Sequence, residues 1–215
     1  MKKIDVTVID YGLGNLLSLK RAFEFSGANV IITNDHKLIS KASRVVLPGV
    51  GAFGKAMDSI NSLNLKEEII LTAKKGIPFL GICLGMQLLL TESEEFGLHK
   101  GLNLLEGKVQ AIRDIIKNKK DLKIPHVGWN TIKETNLKSK NEFSVLKNIK
   151  EHDSFYFVHS FVSLPKNSDE RKYDTIYEGV KLPAIIGKKN ILGFQFHPEK
   201  SGRAGLKLLE DFLKF

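Results

Sequence analysis

At 215 residues and 24.1 kDa the chain has the size of one domain, and its 42% hydrophobic and 27% charged residues exclude a disordered, collagen-like or disulfide-stapled protein. The one cysteine, Cys83, forbids an internal disulfide and fits a reducing, cytoplasmic compartment; no apolar run reaches the length of a membrane span, and the start MKKIDVTVID lacks a signal-peptide core. The formal charge is +9, but no aromatic-and-basic RNA-binding consensus accompanies it, so it reads as a lysine-rich surface with no nucleic acid and no membrane as partner.

In chain order, Ile4–Ile9 reads as a buried strand. A turn at Tyr11-Gly12-Leu13-Gly14-Asn15 follows, then a helical pattern over Leu16–Phe25. Asn29–Thr33 and Arg44–Leu47 are further strand candidates, the second stopped by Pro48-Gly49-Val50-Gly51. Helical spacing resumes over Ala52–Leu63 and Leu65–Lys75, and Pro78–Ile82 is another short buried strand. This β-α alternation predicts an α/β fold with a mostly parallel sheet flanked by helices.

The second half changes character. Short strands are expected at Lys108–Ile112, Ile124–Val127, Thr131–Lys133, Ser154–Val158, Asp174–Glu178, Ala184–Gly187 and Ile191–Phe196, the last two joined by a hairpin-like turn at Lys188-Lys189-Asn190. These are additional, antiparallel strands. Two polar stretches, Asp114–Lys123 and Pro165–Lys172, read as surface loops or hairpin tips, and Gly202–Phe215 has helical spacing at Leu206, Leu209, Phe212 and Leu213. With no repeat and no linker, residues 1–215 are expected to form a single domain.

Three segments carry chemistry. In Phe79-Leu80-Gly81-Ile82-Cys83-Leu84-Gly85-Met86-Gln87 an apolar strand runs into Gly-x-Cys-x-Gly and then into helical spacing, the thiol form of a nucleophile elbow. The glycines remove side chains that would collide at the sharp turn, and the helix start beyond Cys83 favours negative charge on sulfur. A buried structural cysteine is the competing reading. In Phe194-Gln195-Phe196-His197-Pro198-Glu199, Pro198 holds His197 extended; residues two apart in an extended run share a side, so Glu199 is expected to orient the His197 imidazole. A surface His-Pro-Glu turn is the alternative. In Val45-Val46-Leu47-Pro48-Gly49-Val50-Gly51, the N–H groups freed at a glycine-rich turn, with that of Leu84, are candidates to bind an oxyanion, against a plain strand-to-loop turn.

Other chemistries lack support. Gly12-Leu13-Gly14 misses the third glycine of a dinucleotide fingerprint because position 17 is Leu, no phosphate-binding GxxxxGK[ST] loop occurs, and a zinc site lacks ligands.

These motifs together resemble the class I (triad) glutamine amidotransferases, a family with a flavodoxin-like fold. Within that family they are most similar to the glutaminase subunits of imidazole glycerol phosphate synthase. The resemblance runs through Ile9–Leu16, Leu47–Phe53, Gly81–Gln87, the Pro125-His126-Val127-Gly128-Trp129-Asn130 block, Tyr156–Ser160 and Gln195–Ser201, in the family's order and across nearly the whole chain. It implies a Cys83–His197–Glu199 triad that hydrolyses L-glutamine to glutamate and ammonia without a cofactor or metal. It further implies that Gln87, His159 and Ser160 lie near bound glutamine, with Gly49, Val50, Gly51 and Leu84 at the oxyanion. Asp10, Tyr11, Asn15, Trp129 and Asn130 would face a (βα)8-barrel cyclase in a heterodimer that makes imidazole glycerol phosphate and AICAR for histidine biosynthesis. The chain departs from the family's usual Tyr at Phe161 and usual Met at Val127. Three alternatives stay open: a paralogous glutaminase serving amination of surface-polysaccharide sugars, a stand-alone cysteine hydrolase, and a non-catalytic subunit.

Overall fold

The computed structural model describes residues 3–117, 121–135 and 142–215. Its first half follows the alternation of apolar runs: β1 (Val6–Ile9), α1 (Leu16–Phe25), β2 (Val30–Thr33), α2 (His36–Ser40), β3 (Val45–Leu47), α3 (Phe53–Ser62), α4 (Leu65–Lys74), β4 (Phe79–Ile82) and α5 (Leu84–Leu88). Local chemistry sets the starts. Asn15 accepts from the Ser18 amide at the head of α1, and Asp35 accepts from the Lys37 and Leu38 amides at the head of α2. The sequence pattern did not reveal α2, whose single turn has too short an apolar period.

The second half supplies β5 (Glu92–Ser93), β6 (His99–Lys100), β7 (Gly107–Ala111), α6 (Ile112–Ile115), β8 (His126–Glu134), β9 (Ser154–His159), β10 (Phe161–Pro165), β11 (Arg171–Tyr177), β12 (Val180–Lys188), β13 (Ile191–Phe194) and α7 (Gly202–Phe212). A nine-stranded sheet has the order β2-β1-β3-β4-β13-β12-β11-β8-β9. Its strands pair in parallel from β2 through β4 to β13 and antiparallel from β13 to β9. A smaller sheet has the order β10-β7-β5-β6. Alternate residues of the central strands feed two cores. Val46 and Phe194 pack with α1 and α7, while Val45 and Leu47 pack with α2, α3, α4 and α5.

Three expectations need correction. The two strands expected at Ile124–Val127 and Thr131–Lys133 are one strand, β8, because Gly128, Trp129 and Asn130 keep unbroken register with β9. The Pro165–Lys172 stretch is not a surface loop: it holds the end of β10, a 3-10 turn at Ser168–Glu170 and the start of β11. Its Glu170 and Lys172 are buried because each charge is paired, Glu170 with Lys188 at 2.8 Å and Lys172 with Glu142 at 2.5 Å. The Asp114–Lys123 stretch begins inside α6, and its residues 118–120 lie outside the described residues. Among the described residues no helix is long and apolar enough to cross a membrane.

Candidate active site

The carboxyl ends of β4 and β13 meet at the centre of the sheet, where Ile82 pairs with Phe194 in parallel register. Ligand sites of open α/β sheets lie beyond such carboxyl ends. The residue after β4 is Cys83, its amide bonded to Phe194 O at 2.7 Å, and three residues beyond β13 comes His197. Two segments far apart in sequence are thereby delivered to one point.

Cys83 sits at φ 54°, ψ −112°, a strained conformation for a residue with a side chain. The strain follows from how closely the turn is packed. A Cβ on Gly81 would stand 2.6 Å from Gly85 O, and one on Gly85 would stand 1.9 Å from Leu47 O. The two glycines that bracket the cysteine therefore let α5 fold back onto its own strand and onto the end of β3. Cys83 is 7% exposed, and its Sγ is approached by the Val158 carbonyl and by Gln195 Nε2, both at 3.9 Å.

His197 is held from both sides. Its amide donates to Tyr156 O at 3.0 Å, and its carbonyl accepts from Ser201 Oγ at 2.6 Å. Its Nδ1 lies 2.8 Å from Glu199 Oε1, with both side chains buried. The expected meeting of these two residues is present, but by another route. His197 itself is extended, whereas Pro198–Lys200 is a 3-10 turn that wraps Glu199 back onto the ring. Burial opposes a charge on His197, yet Cys83 and Glu199 outweigh it and push the imidazole up to about 10. Among the described residues Nε2 is buried without a hydrogen-bond partner of normal geometry.

Cys83 and His197 line a cavity of about 430 Å³ together with Val50, Gly51, Leu84, Gln87, His159 and Ser160, so eight of the expected site residues share one concavity. Gly49 and Glu199 lie beside it, lining a small neighbouring cavity with Asn15 and Val50. No acceptor among the described residues takes the amides of Val50, Gly51 or Leu84, the groups an oxyanion would need. Sequence reasoning missed Glu95, an acidic group on the cavity wall whose Oε2 accepts from the Phe53 amide at 2.6 Å; burial raises its pKa. It also missed Gln195, although that residue stands two positions before the His-Pro-Glu motif. A larger, open groove of about 1020 Å³ at Lys133, Arg171 and Asp174 has no cysteine or histidine among its described lining residues, and its Arg171–Asp174 pair is closed at 2.5 Å.

Of the residues expected to face a partner, Trp129 is 55% exposed and Val127 beside it 53%. They stand opposite Tyr156 and Val158 in the β8–β9 ladder, forming an apolar strip. Two of the expected residues lie away from this strip. Tyr11 is fully buried, because its hydroxyl donates to Pro48 O at 2.7 Å beneath the glycine-rich turn. Asn130 follows Trp129 on a strand and so points to the opposite face, where its amide meets His126 Nε2 at 2.6 Å. Asp10 accepts from the Gly12 amide at 3.0 Å and shapes the turn before exposed Asn15.

The chain has counterparts among known proteins. The family described as "Glutamine amidotransferase class-I" matches residues 7–215, and the chain belongs to that family. Its relatives within the family include the imidazole glycerol phosphate synthase subunit HisH 1 of Legionella pneumophila (strain Paris), 46% identical over 209 residues, covering 97% of this chain and 98% of the relative. The corresponding HisH subunit of Aquifex aeolicus (strain VF5) is 46% identical over 206 residues, covering 95% and 94%. Among solved structures, a glutamine amidotransferase crystal structure superposes with TM-score 0.72 at 15% identity, covering 98% and 99% of the two chains. The structure of PurLQS from Thermotoga maritima gives TM-score 0.73 at 18% identity, covering 99% of each. These structural likenesses establish the shared fold.

Proposed function

We propose that this chain, as one domain over residues 1–215, is the glutaminase subunit of an imidazole glycerol phosphate synthase, with Cys83, His197 and Glu199 as its triad. The observation that carries the reading is a strained cysteine opening into the same cavity as an imidazole that a buried carboxylate holds at Nδ1. In the reaction, His197 takes the proton of the Cys83 thiol, the sulfur attacks the side-chain carbonyl carbon of glutamine, and the carbonyl electron pair moves to its oxygen. The unpaired amides of Val50, Gly51 and Leu84 stabilise that charge. His197, oriented by Glu199, gives its proton to the departing nitrogen; the C–N bond breaks and ammonia leaves a γ-glutamyl thioester. Water then attacks the thioester carbon while His197 takes its proton; the C–S bond breaks, glutamate departs, and the proton returns to the Cys83 sulfur. Glu95 is the acidic group on the cavity wall and complements the α-ammonium of glutamine, while Gln87, His159 and Ser160 complete the polar lining.

Free ammonia in neutral water becomes ammonium, so the product needs a sheltered acceptor. The apolar strip of Val127, Trp129, Tyr156 and Val158 runs to the cavity rim through Val158 and suits docking of a (βα)8-barrel cyclase that consumes the ammonia in histidine biosynthesis. Near-full-length identity of 46% to synthase subunits favours that acceptor over a sugar-modifying partner.

The test is glutamate release from glutamine by the chain mixed with such a cyclase and its acceptor. Cys83→Ala is expected to abolish release while still binding the cyclase; persistent release by Cys83→Ala contradicts the assignment.

A further inference from the structure

Beneath the Trp129 face of the β8–β9 ribbon runs a continuous line of side chains that ends at the nucleophile. Asn130 Nδ2 is 2.6 Å from His126 Nε2, His126 Nδ1 is 2.9 Å from His159 Nε2, and His159 Nδ1 is 2.8 Å from the Phe161 carbonyl. That carbonyl also accepts from Gln87 Nε2 at 3.1 Å. Gln87 Nε2 donates again to Gln195 Oε1 at 3.2 Å, and Gln195 Nε2 faces Cys83 Sγ at 3.9 Å.

The direction of each bond follows from the one fixed end. A carbonyl can only accept, so His159 Nδ1 carries the hydrogen. In the neutral ring its Nε2 is then bare and must accept from His126 Nδ1–H. That leaves His126 Nε2 bare, matching the amide group that Asn130 presents. Burial supplies the neutrality, lowering His126 to about 4 and His159 to about 3. His126 is clamped between Phe157 and Tyr177, with ring centroids at 4.9 and 4.1 Å, so the ring has no room to turn. Reversing either tautomer sets two hydrogens or two lone pairs against each other at the 2.9 Å contact.

We propose that Asn130 and His126 are positioning residues: they fix His159 and the Phe161 carbonyl, which orient Gln87 and Gln195 against Cys83. The proposal rests on reading Cys83 as the nucleophile. Neither residue lines the cavity, so they act only through this line.

The decisive substitution is Asn130→Asp, nearly identical in shape but unable to donate as a carboxylate. It places a hydrogen on His126 Nε2, so that His126 either loses the Nδ1–H it gives to His159 or becomes a charged imidazolium in a buried site, and both disturb the line. With the cyclase partner present, kcat for glutamine hydrolysis is expected to fall about 10- to 100-fold while KM stays within about twofold, as for a misplaced reacting group. His126→Leu is expected to behave likewise, and His126→Asn, which keeps a donor at the δ position, to recover much of the loss. Independently of activity, the ring nitrogen NMR signals of the unsubstituted full chain are expected to show Nδ1–H tautomers at both His126 and His159. Those signals keep the proposal testable should Asn130→Asp fail to fold. An Nε2–H tautomer at either ring, or wild-type kcat in Asn130→Asp, overturns it. Activity surviving in Cys83→Ala overturns the nucleophile reading instead, and leaves the tautomer result standing.

Discussion

Glu199 Oε1 lies 2.8 Å from His197 Nδ1, and both side chains are buried. A buried carboxylate in that position fixes both the tautomer and the tilt of the ring. Glu199→Gln keeps the shape but removes the charge, so kcat for glutamine hydrolysis is expected to fall by about 10²-fold or more, with little change in KM. Steady-state kinetics with the cyclase partner measure it; a variant within a factor of two of wild type would show that Glu199 merely fills space.

The same pair makes stability depend on pH. Burial penalises the charged ring, but Cys83 and Glu199 together raise it from 6.5 to about 10. A proton bound more tightly in the folded chain stabilises it in full below about pH 6.5, and that contribution is lost as pH rises through about 10. Urea midpoints of wild type and Glu199→Gln are therefore expected to differ most just below pH 6.5 and to converge towards pH 10. A gap that widens with rising pH would contradict the assignment of the proton.

Two glycines separate crowding from backbone strain. A Cβ at Gly85 meets Leu47 O at 1.9 Å, whereas one at Gly179 meets nothing within 4 Å although φ is +83°. Gly85→Ala is expected to cost about 3 kcal/mol or more through displaced backbone, and Gly179→Ala about 1 kcal/mol through its conformation alone. Denaturant unfolding of the two variants gives the comparison directly, and equal losses would refute the packing account of the elbow.

Glu95 is a further target. If its carboxylate holds the α-ammonium of glutamine, Glu95→Gln loses a charge-assisted hydrogen bond, and KM should rise by about 10-fold or more while kcat changes less. A fall in kcat with KM unchanged would move Glu95 out of the binding role and into support of α3, through its contact with the Phe53 amide.

The first half of the fold was legible because each strand there is a short continuous apolar run and each longer helix has a full apolar period. Residues 16–25 read as a helix and form one with the same bounds. The cysteine elbow was legible for a steric reason, since glycines at 81 and 85 are needed by atoms that crowd them. The second half resisted. Buried charges such as Glu170 and Lys172 look like solvent-facing residues until their partners are known. Trp129 and Asn130 belong to one sequence block, yet the strand sends them to opposite faces. Nothing in the sequence marks Glu95, which reaches the cavity only through the chain path between α5 and β7. The His197–Glu199 contact was anticipated from an extended geometry that the 3-10 turn replaces.

The parallel pairing of β4 with β13 has a consequence for how the protein is made. During translation the thiol leaves the ribosome well before the imidazole, and the strand that positions that imidazole is the last of the sheet to emerge. A nascent chain stalled anywhere before residue 191 exposes its sulfur with no base beside it. Under the proposed roles, hydrolysis therefore waits for the final strand to enter the middle of the sheet.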